Sequence, residues 1–112
     1  MTLDEDIVSW HKKTFPDITM GELLLKLEEE LRELSDAKWK DGFNLMEESA
    51  DVYIVSCALY YRFNSKTGLH FLSLLDGLPH EVKTKIVSDK LSKNKKRKWH
   101  KVDGVYRHKE GE

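Results

Sequence analysis

The chain has 112 residues, 39% hydrophobic and 35% charged, with a formal net charge of −1. That is enough for one domain. It is too apolar for a disordered segment, and no apolar run approaches the ~20 residues of a membrane span. A single cysteine, Cys57, excludes an internal disulfide, and the acidic opening MTLDEDIVSW does not read as a signal peptide, so a cytoplasmic protein is expected.

In chain order, Asp4 to Lys13 reads as a short helix with Ile7, Val8, Trp10 and His11, closed by Thr14-Phe15-Pro16-Asp17 because a residue before proline avoids the α region. Thr19 opens a second helix, with Thr19 as N-cap and Glu22 at N3 of a capping box. Leu23, Leu27, Leu31 and Leu34 form its apolar stripe, and it ends near Lys38 before an Asp41-Gly42 break. The third helix spans about Phe43 to Phe63. Phe43, Met46, Ala50, Ile54, Cys57 and Tyr61 share one face, while Val55, Ala58 and Leu59 make the rest apolar too. A helix apolar all round is buried all round, which in so small a domain predicts cover from a second subunit. Cys57, in the middle of this run, reads as a buried core thiol.

Asn64 to Gly68 reads as a turn and Leu69 to Leu75 as a short helical segment stopped by Asp76-Gly77. Pro79 suits the first position of a last helix that runs to about Lys95, with Val82, Ile86 and Leu91 buried and Val87 near the edge. The remainder is a basic extension, about 96–112, with a tight turn or small hairpin at Asp103-Gly104. The fold class is therefore all-α: a single domain, 1–112, of four to five helices in a bundle completed by oligomerisation.

The charges are unevenly laid out. Residues 22 to 51 hold ten acids, whereas 90 to 109 hold nine bases and one acid. Such a division suits a site that holds cations and a polyanion together. Within the acidic half one spacing occurs twice. Glu30 and Glu33 stand at i and i+3 on the second helix, Glu48 and Asp51 on the third. Residues three apart share a helix face, and two helices joined by a short loop bring both pairs together. Four carboxylates are hard oxygen donors suited to Mg²⁺, with Mn²⁺ as a substitute. Glu30 flanks the leucine stripe, and Glu48 and Asp51 interrupt an apolar helix. Burying them unpaired is costly, so a metal is expected. Glu28 points away, toward solvent.

At these residues the sequence resembles the MazG-like, all-α nucleoside triphosphate pyrophosphohydrolase family. EELREL (29–34) followed by EESADVYI (47–54) carries the likeness, together with the lead-in SWHKKTFPDIT (9–19) and the closing DKLSKNKKRKW (89–99). The resemblance implies a helical homodimer or homotetramer that hydrolyses (d)NTPs to (d)NMP and pyrophosphate, with Mg²⁺ on Glu30, Glu33, Glu48 and Asp51. The ending RKWHKVDGVYRH is similar to compact phage-type members, in which case the setting is the host cytoplasm. A MazZ-like branch of these acts on dGTP, while other members act on dUTP, dCTP or damaged nucleotides. HFLSLLDG (70–77) departs from the common pattern.

Roles follow from the chemistry of phosphate transfer. Glu29, Glu33 and Glu47 are the candidate general bases. Lys26, Lys90, Lys93, Asn94 and Arg97 are the candidate substrate ligands, with Arg97 suited to bidentate pairing with phosphate. Trp10 is a candidate for base stacking, with an aromatic staple between helices as its other reading. Trp39 and Trp99 read as packing residues. The five histidines lack zinc-ligand spacing, and no phosphate-binding loop of the G-x-x-x-x-G-K-[ST] type occurs. The alternative function is a nucleic-acid-binding helical module using the basic 90–109 segment. It leaves the buried carboxylates without a purpose, so no stable nucleic-acid partner is expected.

Overall fold

The computed structural model describes residues 1–37 and 42–108. The expected helix end near Lys38, the Asp41-Gly42 break, the packing of Trp39 and the side chain of Phe43 lie outside what it describes. Helix α1 (Leu3–Thr14) starts at a capping box: Thr2 Oγ1 accepts from the Glu5 N–H, and the Glu5 carboxylate accepts from the Thr2 N–H. Helix α2 (Met20–Ala37) is capped by Thr19, whose hydroxyl accepts from the Glu22 N–H. The second half of the expected box does not form. The Glu22 carboxylate turns into a cleft instead, with Oε2 buried and unpartnered.

Helix α3 (Gly42–Phe63) is the axis of the molecule. One side of it packs Ala50, Tyr53, Ile54 and Cys57 against Ile7 of α1, Leu75, and Val87 and Leu91 of the last helix. The other side packs Val52, Ala58 and Leu59 against Leu23 and Leu27 of α2. This corrects the reason given for a second subunit: the middle of α3 is apolar all round because its own chain surrounds it. Among the described residues of α3, only Leu45, Met46 and Tyr61 remain exposed large hydrophobics. Cys57 is fully buried, as its surroundings in the sequence require.

Asn64, in the left-handed region at φ 54°, turns the chain out of α3. Helix α4 (Lys66–Leu72) then begins at once, capped by Ser65, whose hydroxyl accepts from the Gly68 N–H. The expected Asn64–Gly68 turn is thus only two residues long. Gly68 belongs to the helix because it lets α4 lie against α3: a Cβ there would stand 2.7 Å from the Ser56 carbonyl oxygen and 2.8 Å from the Tyr60 nitrogen. A 3-10 turn (Ser73–Leu75) follows.

Helix α5 (His80–Lys96) has Pro79 as its N-cap in extended conformation, one place earlier than expected. Its buried residues are Val87, Lys90, Leu91 and Asn94, while Val82 is 40% exposed. The expected stripe is therefore rotated, because two polar residues occupy the inner face and satisfy their hydrogen-bonding groups there. Strands β1 (Trp99–Val102) and β2 (Val105–His108) form an antiparallel hairpin. Asp103 and Gly104 take positive φ at its two-residue turn. The architecture is five helices and one hairpin among the described residues, an all-α fold. No described helix is long and apolar enough to cross a membrane.

Candidate active site

A cleft of about 390 Å³ opens between α2, α3, the end of α5 and the hairpin. Its floor is acidic. Glu30 and Glu33, one turn apart on α2, meet Glu48 of α3, so that one carboxylate oxygen from each lies within 4.8 Å of the others. Glu30 Oε2 and Glu48 Oε2 are buried with no hydrogen-bond partner. Burial, reinforced by the charges of Asp51, Glu33 and Glu48, pushes the Glu30 carboxyl up to about 9. Burial, then hydrogen bonding with Glu33 and the charge of Asp51, pushes Glu48 up to about 7. Such an arrangement is unfavourable without a cation. All-oxygen donors, orphaned and converging, fit a hard divalent ion.

Asp51, the fourth expected ligand, lines the same cleft but is turned toward α5. Its Oδ2 lies 3.3 Å from Lys90 Nζ, and its Oδ1 accepts from Asn94 Nδ2 at 3.5 Å. Burial raises this carboxyl, and Lys90 is the main opposing influence. Asn94 also accepts, through Oδ1, a hydrogen bond of 3.2 Å from Arg97 Nη1. Asp51, Lys90, Asn94 and Arg97 thus form one polar wall, built because Asp51 draws the inner face of α5 onto α3. Trp99 Nε1 donates to the Asn94 carbonyl, which ties the hairpin to the end of α5.

The other wall is aromatic. Trp10, Phe15, Trp99 and Tyr106 line it, with Phe15 in edge contact with Trp99 at 5.0 Å and Tyr106 at 4.8 Å between ring centroids. The packing reading of Trp10 is the one its contacts show. The indole packs edge-on against Phe15 and Trp99, and it faces the cleft. Behind them His11 is buried, and Arg62 Nη1 donates to its Nδ1 at 2.8 Å. Burial, then the Arg62 charge, pushes His11 down to about 3, so it is neutral. Arg62 also donates to the Phe15 and Pro16 carbonyls, holding the end of α1 in place.

The remaining expected residues divide. Lys26 lines the cleft, its Nζ 6.0 Å from the centre of the Trp99 ring. Glu29 lines it too, held by the Arg107 guanidinium at 3.1–3.3 Å. Glu47 and Lys93 are ion-paired with each other on a different surface, outside the cleft, and Lys93 holds the Glu47 carboxyl below its usual range. Glu28 pairs with Arg32 in solvent. The 70–77 segment contributes nothing to the cleft. Glu22, Arg107, Tyr106 and Phe15 do line it, although sequence reasoning gave them no role there. The missed signal for Glu22 was its register: Glu22, Lys26, Glu29 and Glu33 fall within about 60° on the α2 wheel.

No family model matches the chain, and no solved structure matches it. Over 103 residues, 91% of its own length, the chain is 34% identical to a protein of Salmonella phage PMBT28 named dATP/dGTP diphosphohydrolase, and it spans 29% of that relative's length.

Proposed function

We propose that this chain hydrolyses (deoxy)nucleoside triphosphates to the monophosphate and pyrophosphate in a Mg²⁺-dependent reaction. The observation that carries the reading is the pair of buried, unpartnered oxygens of Glu30 and Glu48, facing a cleft whose far wall offers Lys90, Asn94 and Arg97. The MazG-like resemblance supports it, as does the name of the phage relative.

Glu30, Glu33, Glu48 and Asp51 are the residues to hold the cation, which when bound polarises phosphoryl oxygens and lowers the pKa of water. Of the three candidate bases, Glu47 lies outside the cleft and Glu29 is engaged by Arg107. Glu33, the exposed member of the trio, keeps a carboxylate in the cleft. We assign it the proton of the attacking water. The water oxygen bonds to the α-phosphorus, the bond from that phosphorus to the bridging oxygen breaks, and pyrophosphate leaves with the electron pair. Lys90 and Arg97 meet the charge that develops on its oxygens.

The basic 90–109 segment gives weaker support to nucleic-acid binding, because Lys90, Lys101 and Arg107 are already paired with Asp51, Asp17 and Glu29. Assembly into a homodimer or homotetramer remains part of the proposal, supported by the exposed Leu45, Met46 and Tyr61 of α3, and light scattering tests it. Action in a host cytoplasm on the nucleotide pool is likewise part of the proposal. The functional test is release of pyrophosphate and monophosphate from a dNTP panel, with Mg²⁺ and with chelator. Release by the wild type that is lost in Asp51→Ala upholds the reading. No release from any dNTP, or an Asp51→Ala rate within a few-fold of wild type, overturns it.

A further inference from the structure

Glu22 carries a third orphan. Its Oε2 is buried without a hydrogen-bond partner, like those of Glu30 and Glu48, yet it stands apart from the cation trio. Eight residues separate Glu22 from Glu30 on one helix, or about 12 Å along the axis at 1.5 Å per residue. Both line the same cleft, and the aromatic residues Phe15, Trp99 and Tyr106 line it as well. The charge of Glu22 contributes to raising both Lys101 and Tyr106, which puts it beside the hairpin, at the aromatic end. A buried acceptor without a donor is costly, and no donor among the described residues reaches it.

We propose that Glu22 is a specificity-determining residue that reads the pairing edge of the nucleobase, and that the base it reads is guanine. This rests on the nucleotide reading above. With the triphosphate at the Glu30 end, a base extends along α2 toward Glu22, between aromatic rings suited to stacking. An ionised carboxylate is acceptor-only. Adenine and cytosine each present one amino donor beside a ring-nitrogen acceptor, and thymine presents one N–H between two carbonyls. Guanine alone presents two adjacent donors, the ring N1–H and the 2-amino group, in the geometry a carboxylate accepts bidentately. A site that pairs buried polar groups rejects analogues that leave them unpaired.

Two comparisons test this. In the first, dGMP and dIMP, which differ only in the 2-amino group, are titrated against the wild-type protein and Glu22→Gln, with tryptophan fluorescence as the readout. Neither probe requires cleavage. The wild type should favour dGMP by roughly ten-fold or more, the scale of one good base contact, and Glu22→Gln should bring the ratio near one. In the second, kcat/KM for dGTP and dITP should show the same preference and the same loss. Equal binding of dGMP and dIMP by the wild type overturns the proposal, as does a preference that survives in Glu22→Gln. Hydrolysis of dNTPs with no dGMP preference sinks the base assignment alone. A dGMP preference without hydrolysis supports the base assignment and sinks the catalytic reading instead.

Discussion

Replacing Glu30 by glutamine tests the proposed cation site. Glutamine keeps the shape of the side chain and removes its charge. Carboxylate oxygens of Glu30, Glu33 and Glu48 lie within 4.8 Å of one another. At that distance two like charges repel by about 3.5 kcal/mol for an effective dielectric constant near 20. Glu30, pushed up to about 9, escapes this at pH 7 only by holding a proton, which costs the fold roughly 3 kcal/mol against an unfolded carboxyl, out of the 5–15 kcal/mol, roughly, that holds a small domain folded. Without divalent cation, Glu30→Gln should therefore be at least as stable as the wild type. With Mg²⁺ the order reverses. A ligand at 100 times its Kd stabilises the folded state by about 2.7 kcal/mol, on the order of 10 °C in Tm for a chain of this size. The wild type should show that gain, and the variant less than a third of it. Thermal melts followed by circular dichroism, in chelator and across a Mg²⁺ series, measure both quantities. Equal Mg²⁺ shifts in the two proteins, or a metal-free variant weaker by several kcal/mol, would refute the reasoning.

Arg97→Ala should lower kcat/KM for the preferred dNTP by roughly ten-fold or more, the ~1.5–3 kcal/mol scale of one charge-assisted phosphate contact; steady-state kinetics decide it, and an unchanged value removes Arg97 from the site. Gly68→Ala should cost about 1–3 kcal/mol of stability, since the new Cβ would meet α3 backbone at 2.7–2.8 Å, read from urea midpoints. His11→Asn tests linkage to pH. The histidine is held down to about 3 in the fold against 6.5 when unfolded, so its neutral form contributes fully above pH 6.5 and stability is lost as pH falls below it, by ~1.4 kcal/mol per unit. The stability difference between wild type and His11→Asn should thus shrink by about 2 kcal/mol from pH 7 to pH 5, and a constant difference contradicts the burial argument.

Local chemistry was legible in the sequence. Thr19 announced the start of α2 and Asp103-Gly104 the hairpin turn, because each depends on residues within a turn of one another; of the two i, i+3 carboxylate pairs, Glu30, Glu33 and Glu48 form the acidic floor while Asp51 turns to α5. Features set by how separate elements pack together escaped, because no local pattern encodes them. Lys90 and Asn94 read as substrate ligands and do line the cleft, but their burial against Asp51, on another helix, was not read. Gly68 read as a turn, yet the backbone of α3 requires it inside a helix. Glu22 read as a capping residue, yet it faces the cleft. Arg107 and Glu29, 78 positions apart, offered no local pattern to read.

The distribution of charge explains why this cleft suits a cation and a free polyphosphate better than a nucleic-acid backbone. Much of the basic end is matched to carboxylates within the chain: Lys90 to Asp51, Lys93 to Glu47, Lys101 to Asp17 and Arg107 to Glu29. Those pairs fasten α5 and the hairpin against α2, α3 and the loop before α2, and they take up four of the bases that a long polyanion would use. Among the described residues the buried carboxylate oxygens left without a partner are those of Glu22, Glu30 and Glu48, and the last two converge with Glu33. Residual negative charge therefore concentrates at one point in a low-dielectric cleft, where attraction for a small dication is strongest. The same pairing holds Lys90 and Arg97 at the rim of that point rather than upon it. On the proposed reading, a phosphate chain arriving with its cation would meet opposite charges on opposite walls, a division that follows from where α5 crosses α3.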